Sequence, residues 1–347
     1  VGDSGVSGVV LTDTATASEA RDINALTPDV SNFIVADSAG AILTATSGVA
    51  ASSALASVDT LIVTGGTVDV TEASYIQGIS DLDKSASNYE ILDDASAIAG
   101  SSLGILADTG VTSVTALDTA DDVMSVLGVT LTALENADSI EVVGGSASVS
   151  EVQTLQGVSN YNATDSNFTI VDTASALADT TDGIVGDSGV SGVVLQDTAT
   201  ASEAIDINAL VVDASSFIVA DSVGGFEAAL TGVVSDASID AVLADVDDLI
   251  VTGGTASVDV AEDLQGISDY NATASSYIIA DSAGALSATS DGIVGDSGVS
   301  GVVLTDTATA SEAIDINALV VDASSFIVAD SVGGFEAALT GVVSDAS

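Results

Sequence analysis

Short apolar runs, each closed by an aspartate, punctuate this chain: FIVAD at 33–37, YEILD at 89–93, FTIVD at 168–172, FIVAD at 217–221 and YIIAD at 277–281. Runs of this length, rich in β-branched and aromatic types and bounded by polar residues, predict strands. The Asp and the Ser or Thr after it are helix-starting residues, because their side-chain oxygens accept from exposed amide groups. A helical period follows. In TEASYIQGI, Ala73, Ile76 and Ile79 fall on one helix face, and Gly78, like Gly157 and Gly266, is expected to end its segment in a left-handed conformation. A link of Asn, Ser and Asp then returns the chain to the next strand.

This strand-then-helix sentence repeats along all 347 residues. Residues 182–238 recur at 291–347 with Gln196 replaced by Thr305, and a more divergent copy opens the chain at VGDSGVSGVVLTDTATASEARDINAL. A second long unit occurs three times, as VTGGTVDVTEASYIQGIS, VVGGSASVSEVQTLQGVS and VTGGTASVDVAEDLQGIS. The closing aspartates give the shorter period: Asp13, Asp37, Asp93, Asp118, Asp172, Asp197, Asp221, Asp281, Asp306 and Asp330. The Gly pairs Gly65/Gly66, Gly144/Gly145 and Gly253/Gly254 fill the wide gaps, so anchors fall mostly 24 to 29 residues apart, with one stretch of about 33. Such a period belongs to solenoids and is far too short for independent domains.

One strand and one short helix per turn, always in that order, predict an α/β solenoid of about thirteen turns with a parallel sheet, continuous over 1–347. No turn buries its apolar face alone; stacking does so. Thirteen turns at about 4.8 Å each would make a rod of roughly 60 Å. The competing expectation is an all-β parallel helix, since many helical segments carry Val, Thr and Ser. ASEARDINAL favours helix; GVSGVVLT favours strand.

Composition changes the picture in one respect. Fifty-two acidic residues face only Arg21 and Lys84, a formal charge of −50, while 47% of residues are apolar and 3% aromatic. The apolar content is high enough for a folded core of thin Val, Ile, Leu and Ala layers. The charge repels phosphate backbones and anionic membranes, which excludes nucleic acid as a partner. Screening by salt or divalent cations would relieve it, which points to a saline or extracellular setting. There is no Cys and no His, hence no disulfide, thiolate or imidazole chemistry. No apolar run is long enough to insert in a membrane. The start at Val1 and the finish within a repeat suggest a processed product or a piece of something longer, without evident caps.

Parallel stacking would set the ten anchor aspartates in a column of carboxylates about 5 Å apart. Like charges so close require donors, protons or cations. One reading has each Asp cap its turn, with the adjacent Thr or Ser completing a hydrogen-bonded ladder. The other has Ca²⁺ held between turns by these carboxylates and backbone carbonyls. Further acidic candidates are Asp121/Asp122, Asp247/Asp248, Asp93/Asp94, Asp187 and Asp296, none within an EF-hand or a nonapeptide calcium repeat. Asn162, Asn167 and Asn271 begin N-x-T triplets. Tyr89, Phe168, Phe217, Tyr277, Phe33 and Phe326 share one strand position, which predicts a packed stripe rather than a carbohydrate platform. The acids recur with the period and no unique cluster stands out, so no enzymatic activity is expected. A polysaccharide-acting solenoid enzyme is the remote alternative.

With DTASAL, DDASAI, DSAGAL and VTGGTVDVTEASYIQGIS, the whole chain resembles the repetitive regions of very large bacterial surface and secreted proteins, among them calcium-associated and surface-layer proteins of cyanobacteria and other aquatic bacteria. The resemblance implies export, a structural or adhesive role at the cell surface and calcium dependence; the missing nonapeptide repeat departs from its β-roll members. The expectation is a segment of an extracellular fibre or surface layer that joins copies of itself end to end. The alternative is a spacer stalk whose binding head, directed for instance at cell-surface glycan, lies elsewhere.

Overall fold

Most of the apolar runs form strands, and a Ser, Thr or Asp beyond them starts a helix; FIVAD at 326–330 makes only a single bridge, at Val328. In the computed structural model, which describes residues 11–26, 33–48, 50–129, 134–210, 214, 216–230, 243, 246–319 and 326–343, twelve strands alternate with short helices. The first copy of the VGDSG motif, at 1–5, lies outside the described residues. The helices decide between the two expected architectures: the fold is α/β with parallel pairing. Local capping is the reason. Ser38, Asp94, Thr119, Thr173, Ser222 and Ser282 each accept a backbone N–H of the first turn of their own helix. Asp69, Ser148, Thr200 and Thr309 form reciprocal capping boxes with Glu72, Glu151, Glu203 and Glu312. Caps of this kind are worth about 1 kcal/mol each, enough to tip mediocre helix formers.

Contacts divide the chain into two compact units, residues 1–169 with 187–191, and 170–186 with 192–347. The first unit holds strands β1 (Phe33–Asp37), β2 (Val58–Val68), β3 (Asn88–Asp93), β4 (Val111–Asp118) and β5 (Ser139–Ala147), together with the first residues of β6 (Asn167–Asp172) and β7 (Val190–Leu195). These make one seven-stranded sheet in chain order. Buried positions pair with buried positions: Val35 with Leu61, Ile91 with Val114, Ala116 with Ile140. The intervening helices add Ile42, Ile76, Ile98, Val123 and Leu155, all fully enclosed.

The second unit repeats the arrangement with β8 (Phe217–Asp221) paired to β9 (Val246–Val251), and β10 (Thr255–Ala256), β11 (Tyr277–Asp281) and β12 (Val299–Leu304) in a three-stranded sheet. Val219 lies in register with Leu249, and Ile279 with Val302. The aromatic stripe is core at five of its six positions: Phe33, Tyr89, Phe168, Phe217 and Tyr277 are buried, as their shared strand position predicts, whereas Phe326 is half-exposed.

The glycines correct one expectation. Gly78 and Gly157 end their helices in the right-handed region, with φ −80° and −74°, and Gly266 is itself helical. Their neighbours' carbonyls are satisfied by ordinary helical bonds; Gly157 donates to Gln153 and Thr154. Among the described residues the glycines with positive φ are instead Gly48 and the three pairs, Gly65/Gly66, Gly144/Gly145 and Gly253/Gly254, with φ between 76° and 141°. The first two pairs turn a corner inside the long strands β2 and β5, and Gly253/Gly254 lie between β9 and β10. In β2 the part before the corner pairs with β1 and the part after it with β3.

Candidate functional site: the anchor aspartates

The strand register places the anchors differently from a simple column. Asp281 stands opposite Leu304 and Asp93 opposite Ala116, so the next anchor, Asp306 or Asp118, falls two residues further on. That two-residue slip puts each carboxylate opposite the first helical residue of the preceding turn. It accepts that residue's free N–H. Ala17 donates to Asp37 at 3.0 Å, Val70 to Asp93 at 2.9 Å, Ala95 to Asp118 at 3.2 Å and, in the second unit, Ala174 to Asp197 at 2.7 Å. Ala201 donates to Asp221 at 3.1 Å, Val258 to Asp281 at 2.9 Å, Ala283 to Asp306 at 2.7 Å and Ala310 to Asp330 at 3.0 Å. The expectation that each Asp caps its own helix is therefore amended: the Ser or Thr caps its own turn, and the Asp caps its neighbour's.

The other oxygen usually turns back along the chain. The backbone N–H of Ser38, Asp94, Thr119, Thr173, Ser222, Ser282 and Ser331 donates to Asp37, Asp93, Asp118, Asp172, Asp221, Asp281 and Asp330 respectively, at 2.6 to 2.9 Å. Asp13 lies exposed in the bend before Ala15. Carboxylates at helix N-termini satisfy orphan donors and sit at the positive end of the helix dipole. Hydrogen bonds of this charge-assisted type are worth about 1.5–3 kcal/mol net. An oxygen that accepts one N–H keeps a second lone pair, so a cation at an anchor would add to the amide bonds rather than replace them. Among the described residues, no group of three or more acidic side chains is gathered as a cage.

The Gly pairs serve the same junction by other means. Val223, the first helical residue after β8, donates to the Gly253 carbonyl at 2.9 Å. A Cβ on Gly254 would lie 3.3 Å from the Val223 nitrogen, and one on Gly145 would lie 3.0 Å from that of Ala120. The glycine backbone thus passes where a carboxylate stands in the other turns.

A second recurrent constellation lies at the opposite end of the strands. Tyr161 donates its hydroxyl to Asp187 at 3.0 Å and Tyr270 donates to Asp296 at 2.9 Å, while Gly189 and Gly298 donate their N–H groups to the same carboxylates. Burial, followed by the carboxylate, pushes both tyrosine hydroxyls well above their ordinary pKa. At an earlier turn of the first unit Leu82 takes the Tyr position, and Lys84 instead pairs with Asp108, which Gly110 also bonds. Nearby, Gln77 bridges the Tyr89 hydroxyl and the Ile105 carbonyl, and Gln265 does the same for Tyr277 and Ile293. Where Phe168 supplies no hydroxyl, Gln156 reaches Asp187. Buried Ser87, Ser166 and Ser275 complete the junction by accepting from Val63, Val142 and Val251.

Of the other acidic candidates, Asp122 accepts from the Thr119 hydroxyl and Asp248 from the Asn271 amide. The Asn162 and Asn271 side chains each close a local turn; Asn167 is exposed at the start of β6. Two equivalent open clefts of about 430 Å³ adjoin Gly78 and Gly157, each with a single carboxylate, Asp81 or Glu135. Among the described residues, no helix is long and apolar enough to cross a membrane. No family model matches the chain, and no curated protein matches it significantly.

Proposed function

We propose that the turns stack as one continuous solenoid of about thirteen, and that this solenoid is a non-catalytic structural segment of an extracellular fibre or surface layer which joins copies of itself end to end. The observation that carries the reading is the inter-turn bond from a helix N–H to the next turn's aspartate, repeated at eight junctions. The acids that would have to perform chemistry are spent on holding neighbouring turns together. Mechanical continuity is what such a design supplies. The resemblance to bacterial surface-protein repeats agrees with this role.

The charge of −50 makes cations part of the proposal. Calcium would lower the repulsion among exposed carboxylates and, through their remaining lone pairs, bind at the anchors. Electron microscopy of the purified chain with and without calcium tests assembly: filaments that lengthen with concentration are expected, and single particles under every condition would favour a stalk. Melting in calcium against a magnesium control tests the ion; equal curves would remove calcium from the proposal.

A further inference from the structure

The three N-x-T triplets, at Asn162, Asn167 and Asn271, match the acceptor pattern for N-linked sugar in exported proteins, which acts only where the asparagine amide can be reached. The fold treats the three differently. The Asn162 amide donates to Asp165 at 2.7 Å, while its oxygen caps the turn at 163–165. The Asn271 amide donates to Asp248 at 3.0 Å, and its oxygen accepts from Ala274 at 3.1 Å. Both residues are half-buried. Asn167 is exposed, and its side chain makes no hydrogen bond among the described residues.

Local structure also sorts the residues around Asn167. In DSNFT at 165–169, Ser166 and Phe168 are buried, whereas Asp165 and Asn167 are exposed and Thr169 is half-exposed. The Ser166 hydroxyl accepts from Val142 and donates to the Asn162 carbonyl, and the Phe168 N–H donates to Gly189, which fixes the inward side. Alternate residues of a strand share a face, so the Asn167 amide and the Thr169 hydroxyl both stand on the outward face of β6. The core thus holds the two residues whose identity the pattern leaves free. Solvent meets the three that a transferase reads: the amide to be modified, the hydroxyl two residues after it, and an acid two residues before it, a charged handle for a cationic groove. Equivalent positions at other turns lack the pattern, since Asn88 is followed by Glu90 and Ser276 by Ile278.

We propose that Asn167 is a site of N-linked glycosylation, with a polyprenyl-diphosphate-linked oligosaccharide as the donor. This rests on the extracellular reading above, because such donors are used on the outer side of the cytoplasmic membrane. In the transfer the anomeric carbon of the first sugar forms a bond to Asn167 Nδ2. Its bond to the diphosphate oxygen breaks, the electron pair leaves on the polyprenyl diphosphate, and one amide proton passes to a base of the transferase. The sugar projects from the outward face of β6 and displaces no packed side chain. At Asn162 or Asn271 the same bond would have to form on an amide already held by a carboxylate.

The test incubates the folded full chain with a purified oligosaccharyltransferase that reads an acid before the triplet, together with its lipid-linked oligosaccharide, and follows intact mass and peptide maps. One added oligosaccharide is expected, on Asn167. Asn167→Gln and Thr169→Val should each abolish it, Thr169→Ser should keep it, and Asp165→Asn should remove most of it. Asn271 has the same acid, in DYNAT at 269–273, and should stay bare because its amide is engaged. No transfer to Asn167, or equal transfer to Asn167 and Asn271, overturns the proposal. Protein recovered from its own cells separates this from the export reading. Sugar on Asn167 supports both; a bare Asn167 on protein outside the cell overturns the site and leaves export standing, and a bare Asn167 on protein retained inside removes both.

Discussion

The Val258 N–H donates to the Asp281 carboxylate at 2.9 Å across 23 residues of sequence, so a single side chain closes a helix in one turn while fastening its own strand in the next. Its second oxygen accepts from Ser282. Replacing Asp281 with Ala removes both bonds and leaves two amide donors at the positive ends of two helices. Asp281→Ala is expected to cost about 1–3 kcal/mol in urea unfolding, and Asp281→Asn, which keeps one accepting oxygen but turns an NH2 group toward the other donor, is expected to carry a cost of the same order. A loss of less than about 0.5 kcal/mol from both variants would mean that these bonds do not hold the turns.

The relationship explains how far the sequence could be read. Strand, cap and helix are local signals, so FIVAD followed by Ser and a helical period was legible without coordinates. The offset between turns was not. Periodicity identifies Asp281 and Asp306 as equivalent, but register depends on how the pleated backbones fit, and a two-residue slip keeps the same faces buried. The slip turns an expected stack of like charges into alternating carboxylates and amide donors. The pairing of Tyr270 with Asp296 was hidden for another reason: the partners lie 26 residues apart and neither has a marked neighbourhood. The available signal was that YNAT and VGDSG occur together twice, at 161–164 with 185–189 and at 270–273 with 294–298.

The glycine of that second motif is fixed by space. A Cβ on Gly298 would meet the Tyr270 hydroxyl and lie 2.9 Å from Ser275 Cβ. Ser275 is buried and Tyr270 half-buried, and both are held by hydrogen bonds. Gly298→Ala should destabilise by about 1–3 kcal/mol, the usual cost of overpacking. Gly301→Ala, three residues on, meets nothing within 4 Å and should change stability by less than about 0.5 kcal/mol. Chemical denaturation of the two variants side by side checks the difference.

Lys84, one of only two basic residues, should matter more than Arg21. Its partner Asp108 is nearly enclosed, whereas Arg21 and Asp22 are exposed and 3.9 Å apart. Removing one member of an enclosed pair strands the other, at a cost of about 3–5 kcal/mol when burial is complete and less here because the ammonium end reaches solvent. Lys84→Ala should therefore lower the unfolding midpoint clearly, and Arg21→Ala hardly at all. Leu82 occupies the position of Tyr161 and Tyr270, so Leu82→Tyr in the Lys84→Ala background should restore part of the loss by offering Asp108 a hydroxyl. No recovery would show that the two kinds of junction are not interchangeable.

Alkali should act on the same junctions. Tyr161 and Tyr270 have hydroxyl pKa values raised by burial and by their aspartate partners, relative to an ordinary value of 10.0. A raised folded-state pKa means that above the unfolded value the unfolded chain releases protons that the folded chain retains. Stability is then full below about pH 10 and falls as pH climbs toward the folded values. The double variant Tyr161→Phe, Tyr270→Phe removes these two titrating groups while keeping the rings. Its stability at neutral pH should be lower, because Asp187 and Asp296 lose a donor, and its decline above pH 10 should be shallower. Urea midpoints measured from pH 7 to 11 test both; parallel curves would place the alkaline sensitivity in other groups.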